Sequence, residues 1–175
     1  SEYDFDIIHA HDWLTYKAGV AARKISGKPL VVHVHATEFD RSGEHNINDI
    51  VYGMERYGMS EADAVCAVSN WTRDIVINKY HIEPKKVFPL HNAVEPVLKE
   101  VVRKKYVKEK IVTFLGRVTF QKGPEYFIES AKKILDRDPN VRFVLAGDGD
   151  LMHNAIERVA ELGISDRFHF TGLLR

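Results

Sequence analysis

The stretch Ile111-Val112-Thr113-Phe114-Leu115-Gly116-Arg117-Val118-Thr119-Phe120-Gln121-Lys122-Gly123-Pro124 decides the fold. An apolar run ends in glycine, two cations follow five positions apart, and Gly123-Pro124 opens the helix pattern of Glu125–Leu135. That pattern puts Phe127, Ile128, Ala131 and Leu135 on one face. Proline at the first helical position loses nothing, because an N–H there has no intrahelical acceptor. The junction directs free helix N–H groups, a guanidinium and an ammonium at one point, as a diphosphate requires. Arg117 can grip phosphate oxygens in a bidentate manner, Lys122 supplies a point charge, and Gly116 lets the backbone come close. On spacing alone the same two residues also read as ordinary loop cations after a strand.

Outward from this junction, short apolar runs alternate with amphipathic stretches. Strands are expected at Asp6–His9, Leu30–His35, Ala64–Val68, Val87–Leu90, Ile111–Leu115, Arg142–Ala146 and Phe168–Phe170. Helices are expected at Leu14–Ile25, Ile47–Met59, Asn70–Tyr80, Glu125–Leu135 and Leu151–Leu162. Strand-helix-strand repetition with nearly continuous apolar strands marks an α/β protein with parallel sheets covered on both faces. Residues 93–110 break the rhythm, with six basic and three acidic residues and one proline. They read as a connector, 96–107, with a short surface helix over Val97–Tyr106. Two Rossmann-like parallel-sheet lobes follow, 1–95 and 108–175.

The totals narrow the function classes. The 175 residues are 45% apolar, and 25 basic residues balance 25 acidic ones. A binder of nucleic acid or membrane that relied on bulk charge would carry a basic excess. Apolar stretches fall far short of a membrane span, and no basic-then-apolar leader opens the chain, so a cytoplasmic location is expected. Cys66 stands alone and reads as a small buried hydrophobe.

Further motifs give the junction a context. Phe114 to Gly123 resembles the donor-phosphate loop of glycosyltransferase family 4, the group that includes glycogen- and starch-synthase-like enzymes. Ala146-Gly147-Asp148-Gly149, His91-Asn92-Ala93-Val94-Glu95 and Val68-Ser69-Asn70-Trp71-Thr72-Arg73 are similar to further motifs of that family, in the same order. Ile8-His9-Ala10-His11-Asp12-Trp13 resembles the corresponding strand end of glycogen and starch synthases. His33-Val34-His35-Ala36-Thr37-Glu38 matches the strand end that carries the family's active-site histidine.

The resemblance implies a GT-B fold and a retaining transfer of sugar from a nucleotide-diphosphate donor to an acceptor hydroxyl, in a cleft between the lobes. It implies Arg117 and Lys122 on the donor diphosphate, with His35 at the transferred sugar near its anomeric carbon. Asp12 and Gly147 would lie on the cleft rim, and Asn92 and Arg73 near the hinge and cleft. No strand-end carboxylate stands out as a covalent nucleophile, so a front-face displacement with phosphate as base is implied. No bound metal or other cofactor is expected. The His-Ala-His-Asp-Trp strand tilts the donor toward ADP- or UDP-glucose and the acceptor toward an α-glucan. The resemblance further implies a middle segment of a longer enzyme, the second half of one domain and the first half of the next. Such a segment is expected to have negligible activity alone and to self-associate through uncovered sheet edges.

Two other readings stay open on the residues. His9, His11, Asp12 and His35 could hold a divalent ion, as in metal-dependent hydrolases. That reading leaves Arg117 and Lys122 without a task. A non-catalytic module that binds nucleotide-sugar or glycan also fits.

Overall fold

A computed structural model of the chain describes residues 4–43, 45–96 and 107–174. The chain divides into two compact units, residues 1–97 and 98–175. The helix expected at Val97–Tyr106 lies outside the described residues.

The first unit is a four-stranded parallel sheet in chain order: β1 (Ile8–His11), β2 (Leu30–Val34), β3 (Ala64–Ala67) and β4 (Val87–Pro89). Its helices are α1 (Asp12–Ser26), the one-turn α2 (Glu38–Ser42), α3 (Asp49–Glu61) and α4 (Asn70–Asn78). Because each crossover steps to the next strand in one direction, right-handed connections put the long helices on one side of the sheet. Ala10, Leu30, Val32, Val34, Val65 and Ala67 on that side form the core with Tyr16, Val20, Met59 and Val76 of the helices. The second unit repeats the scheme with β5 (Lys110–Leu115), α5 (Pro124–Leu135), β6 (Val141–Ala146), α6 (Met152–Glu161) and β7 (Phe168–Gly172). Its core centres on Ile128, Ala131, Phe143, Leu145 and Val159.

The structure corrects two expectations. Helices cover each sheet on one face, where cover on both was expected. The monotonic strand order is the cause, and it leaves Ile7, Phe88, Ile111 and Leu115 exposed. The first strand runs two residues later than expected, Ile8–His11 in place of Asp6–His9, which brings His11 into the ladder opposite His33.

Helices α1 and α3 pack closely enough to need a glycine. A Cβ on Gly58 would fall 2.5 Å from the ring of Tyr16, itself 1% exposed. Tyr16 in turn donates its hydroxyl to the carbonyl of His33, 3.3 Å away, so helix spacing and the β2 strand end are linked. Gly58→Ala should therefore destabilise the protein by about 1–3 kcal/mol, the usual cost of overpacking. Urea melts should show this as a lower midpoint at unchanged slope.

Candidate active site

In open parallel sheets, function gathers at the carboxyl ends of the strands, where side chains and helix N-termini converge. In the second unit those ends are tied backbone to backbone. Gly116 N–H donates to the Ala146 carbonyl at 3.0 Å, Val118 N–H to Asp148 at 2.9 Å, and Gly147 N–H to Gly172 at 2.9 Å. Gly147 has φ of 142° and lies against the Gly116 carbonyl, whose carbon would sit 2.9 Å from any added Cβ. Any side chain at Gly147 would clash with that carbonyl, and its backbone conformation is one that L residues rarely adopt.

Beside this contact is a hollow of about 160 Å³, lined by Gly116, Arg117, Gly147 and Asp148 and walled by Leu115, Leu173 and Leu174. Arg117 is exposed, and among the described residues it has no ion-pair partner. Lys122 is likewise exposed and without an ion-pair partner among the described residues, but it does not line the hollow. It ends a 3-10 turn, Phe120–Lys122, which the left-handed Gly123 (φ 62°) closes before α5 begins at Pro124. Arg117 borders the hollow, and Lys122 stands at the N-terminus of α5. A larger groove, about 390 Å³, lies between α5 and α6 and carries Glu125, Glu129, Glu157 and Glu161. Its Arg158 is already paired with Glu129 and Glu161, so the groove is net acidic, whereas the hollow sets the one guanidinium of Arg117 beside the one carboxylate of Asp148.

In the first unit the strand ends present imidazoles. Register pairs His11 with His33, and alternation sends His9, His11, His33 and His35 to the face away from the helices. Ring centroids of neighbouring histidines lie 4.3 to 5.5 Å apart. His11 Nδ1 and His35 Nε2 share a hydrogen bond of 2.9 Å. His33 is 7% exposed, and neither of its ring nitrogens has a partner among the described residues. Burial, then the neighbouring imidazoles, push its proton affinity below the ordinary His value, and the same causes act on His9. Half-buried Cys66 pairs with His33 in the ladder, and burial pushes its thiol up.

Asp12 occupies the left-handed region (φ 55°), which aspartate tolerates better than most residues. Its Oδ1 accepts the backbone N–H of His35 at 2.8 Å, tying the end of β1 to the end of β2. Asp12 therefore sits just past the carboxyl end of β1, with one oxygen used for positioning His35. Arg73 is a correction: its guanidinium reaches the carbonyl of Val87, the first residue of β4, at 3.3 Å and pairs with Asp74. It braces α4 against the sheet and is not presented to a ligand at the strand ends. Asn92 is exposed in the irregular segment after β4.

One group of site-supporting residues escaped the sequence reading. The segment after β2 is clamped by Glu55, 3% exposed, which accepts from the Glu38 N–H at 3.0 Å and is bonded by Arg41 and Tyr80. Glu38 returns the grip on Arg41 Nε at 3.2 Å and on the Asn48 N–H at 3.1 Å. Thr37 and Asp40 form a capping box at the start of α2. The Thr37-x-x-Asp40 spacing was the visible signal for it.

Family models meet the chain at this point. That of Glycosyltransferase Family 4 matches residues 1–98, and that of Glycosyl transferases group 1 matches residues 76–175. The chain belongs to glycosyltransferase family 4. An uncharacterised glycosyltransferase of Methanocaldococcus jannaschii is 30% identical over 97% of this chain and 47% of its own length. The Escherichia coli UDP-Gal:alpha-D-GlcNAc-diphosphoundecaprenol alpha-1,3-galactosyltransferase is 29% identical over 86% of the chain and 42% of itself. The alpha-maltose-1-phosphate synthase of Mycolicibacterium smegmatis is 31% identical over 79% and 39%. The family 4 chain thus spans less than half the length of these relatives. Among solved structures, Anabaena HepE in complex with UDP and glucose superposes with a TM-score of 0.81 at 19% identity, covering 98% of this chain and 48% of that one. Its fold is that of the GT-B glycosyltransferases. No helix among the described residues is long and apolar enough to cross a membrane.

The imidazole face predicts a pH dependence. His9 and His33 are depressed in the folded state from 6.5, so below that value the unfolded chain binds protons that the folded chain does not. Stability is full above pH 6.5 and is lost as pH falls through the depressed values. Asp12 moderates the effect on His33, and Glu55, raised by burial, works with the opposite sign at lower pH. The diagnostic is therefore a difference. In EDTA, the urea midpoint should fall less between about pH 7.5 and 5 for His33→Leu than for the parent chain.

Proposed function

We propose that this family 4 chain belongs to a retaining transferase that moves glucose from a nucleotide-diphosphate sugar to an acceptor hydroxyl, with an α-glucan as the acceptor class. The observation that carries the reading is the unpaired Arg117 at a hollow whose floor is the Gly116–Gly147 contact. A diphosphate there meets a guanidinium and backbone, and the one carboxylate in the lining, Asp148, already accepts the Gly149 N–H. Arg117, with Lys122 at the start of α5, offsets the charge that develops on the leaving diphosphate. His35 hydrogen-bonds a hydroxyl of the transferred sugar, and its aim is set by Asp12 on its backbone and His11 on its ring. With no carboxylate placed as nucleophile, the acceptor attacks on the face the diphosphate leaves, and a phosphate oxygen takes the acceptor proton. Two cations already meet the donor's charge, so the transfer step is drawn without a metal.

HepE was solved with UDP and glucose, which supports uridine as the base and glucose as the sugar. The Mycolicibacterium relative is named for alpha-maltose-1-phosphate, a product built of glucose units, which supports glucose as the transferred sugar. The two units are read as the second half of an acceptor-side domain, 1–95, and the first half of a donor domain, 108–175, joined by 96–107, in a cytoplasmic enzyme. Donor binding without turnover is the expectation for the 175-residue chain. Titration calorimetry should detect UDP binding to it, and Arg117→Ala should weaken that binding about 10- to 100-fold, the scale of a lost charge-assisted hydrogen bond. Arg73→Ala should leave UDP affinity unchanged. Equal affinities for the parent and Arg117→Ala chains would refute the donor site.

The open face and edge of β5 bear on assembly. Lys110, Ile111, Val112 and Leu115 are exposed along a strand whose edge is unpaired among the described residues, a template for a second chain. The isolated chain is expected to self-associate. Sedimentation velocity should show species larger than monomer that Val112→Lys disperses.

A further inference from the structure

We infer that His9, His11 and His33 form a binding site for one zinc-class transition-metal ion. Each offers a ring nitrogen, and the three ligand atoms lie within 4.8 Å of one another. The parallel register sets this up: His11 sits opposite His33, and His9 is two residues back on the same face. A tetrahedral ion with bonds of about 2.0–2.1 Å needs its nitrogens about 3.4 Å apart. Rotation of exposed His9 and His11 toward His33 closes that difference with the strands unmoved.

His33 is the observation that asks for a ligand. Both of its nitrogens are buried without a partner, a costly state for a polar group, and its ring stacks between those of its neighbours. A metal ion takes the lone pair that no protein donor reaches. The donor set is all imidazole, which favours Zn²⁺, Co²⁺, Ni²⁺ or Cu²⁺ over Mg²⁺ or Ca²⁺. Asp12 does not join it, since its carboxylate is not among the groups whose ligand atoms converge there. The hydrolase ligand set His9, His11, Asp12 and His35 is thereby replaced, and no carboxylate stands in the cluster to serve as base.

His11 links the site to the proposed transfer. A metal on either of its nitrogens changes the hydrogen bond it shares with His35: on Nε2 it fixes the proton on Nδ1, and on Nδ1 it removes the bond. A metal held through Nδ1 therefore lowers the activity of the longer enzyme, a clause that rests on the transferase reading. The binding site itself does not.

The test uses the chain without a polyhistidine tag, stripped with EDTA. Co²⁺ titration should give a visible ligand-field band that saturates at one equivalent, is displaced by Zn²⁺ and is indifferent to Mg²⁺. His9→Ala and His33→Leu should each abolish the band, while His153→Ala, on exposed α6, should not. His9 is exposed, so its variant keeps the test meaningful if His33→Leu folds poorly. Absence of a saturable band, or a band that survives in both variants, would overturn the site. UDP titration of the same samples reports on the donor site independently, so the two readings fail separately.

Discussion

The contact between Gly147 and the carbonyl of Gly116 is the constraint on which the second unit's chemistry depends. Two parallel strands end side by side, and their backbones stay in touch beyond the ladder because neither carries a side chain there. A wider separation would leave the Val118–Asp148 hydrogen bond unmade and swing Arg117 off the hollow. Val118, fully buried between the two strand ends, locks the arrangement from below. Charge at this point is cheap to keep, since Arg117 stays in water until a ligand arrives.

The first unit solves a different problem, that of aiming an imidazole. His35 lies just past the end of β2, where a chain would ordinarily be free to turn. Asp12 holds its amide, His11 holds its ring, and the Glu55–Arg41–Glu38 clamp fixes the segment that follows. These restraints come from four elements. They differ in kind from the glycine contact: polar groups, buried at Glu55 and exposed at His11, each satisfied by another, where the second unit relies on the absence of side chains.

Much of this was legible in the residues, for physical reasons. Apolar runs with short spacing gave every strand of both sheets, and Gly123-Pro124 gave the start of α5 to within a residue. Strand ends were less legible, because Ile8-His9-Ala10-His11 places polar residues on the outward face of a real strand. Periodicity sees the histidines as a break, whereas the ladder to β2 holds them in register. The start of α2 had a signal in Thr37-x-x-Asp40, but the clamp beside it had none: Glu38, Arg41, Glu55 and Tyr80 are partners only after folding. Arg73 shows the reverse error, since a motif position suggested a ligand contact and packing against Val87 absorbed the side chain.

The uniform winding of each sheet also limits what can lie against its bare side. Four stacked rings, one of them without hydrogen-bond partners, make that surface in the first unit a poor bed for aliphatic packing. Whatever covers it must bring lone pairs, acidic groups, or a cation's vacant orbitals, and an alkyl-rich element would strand buried polar atoms. Compatibility there is a matter of donor and acceptor matching rather than of shape.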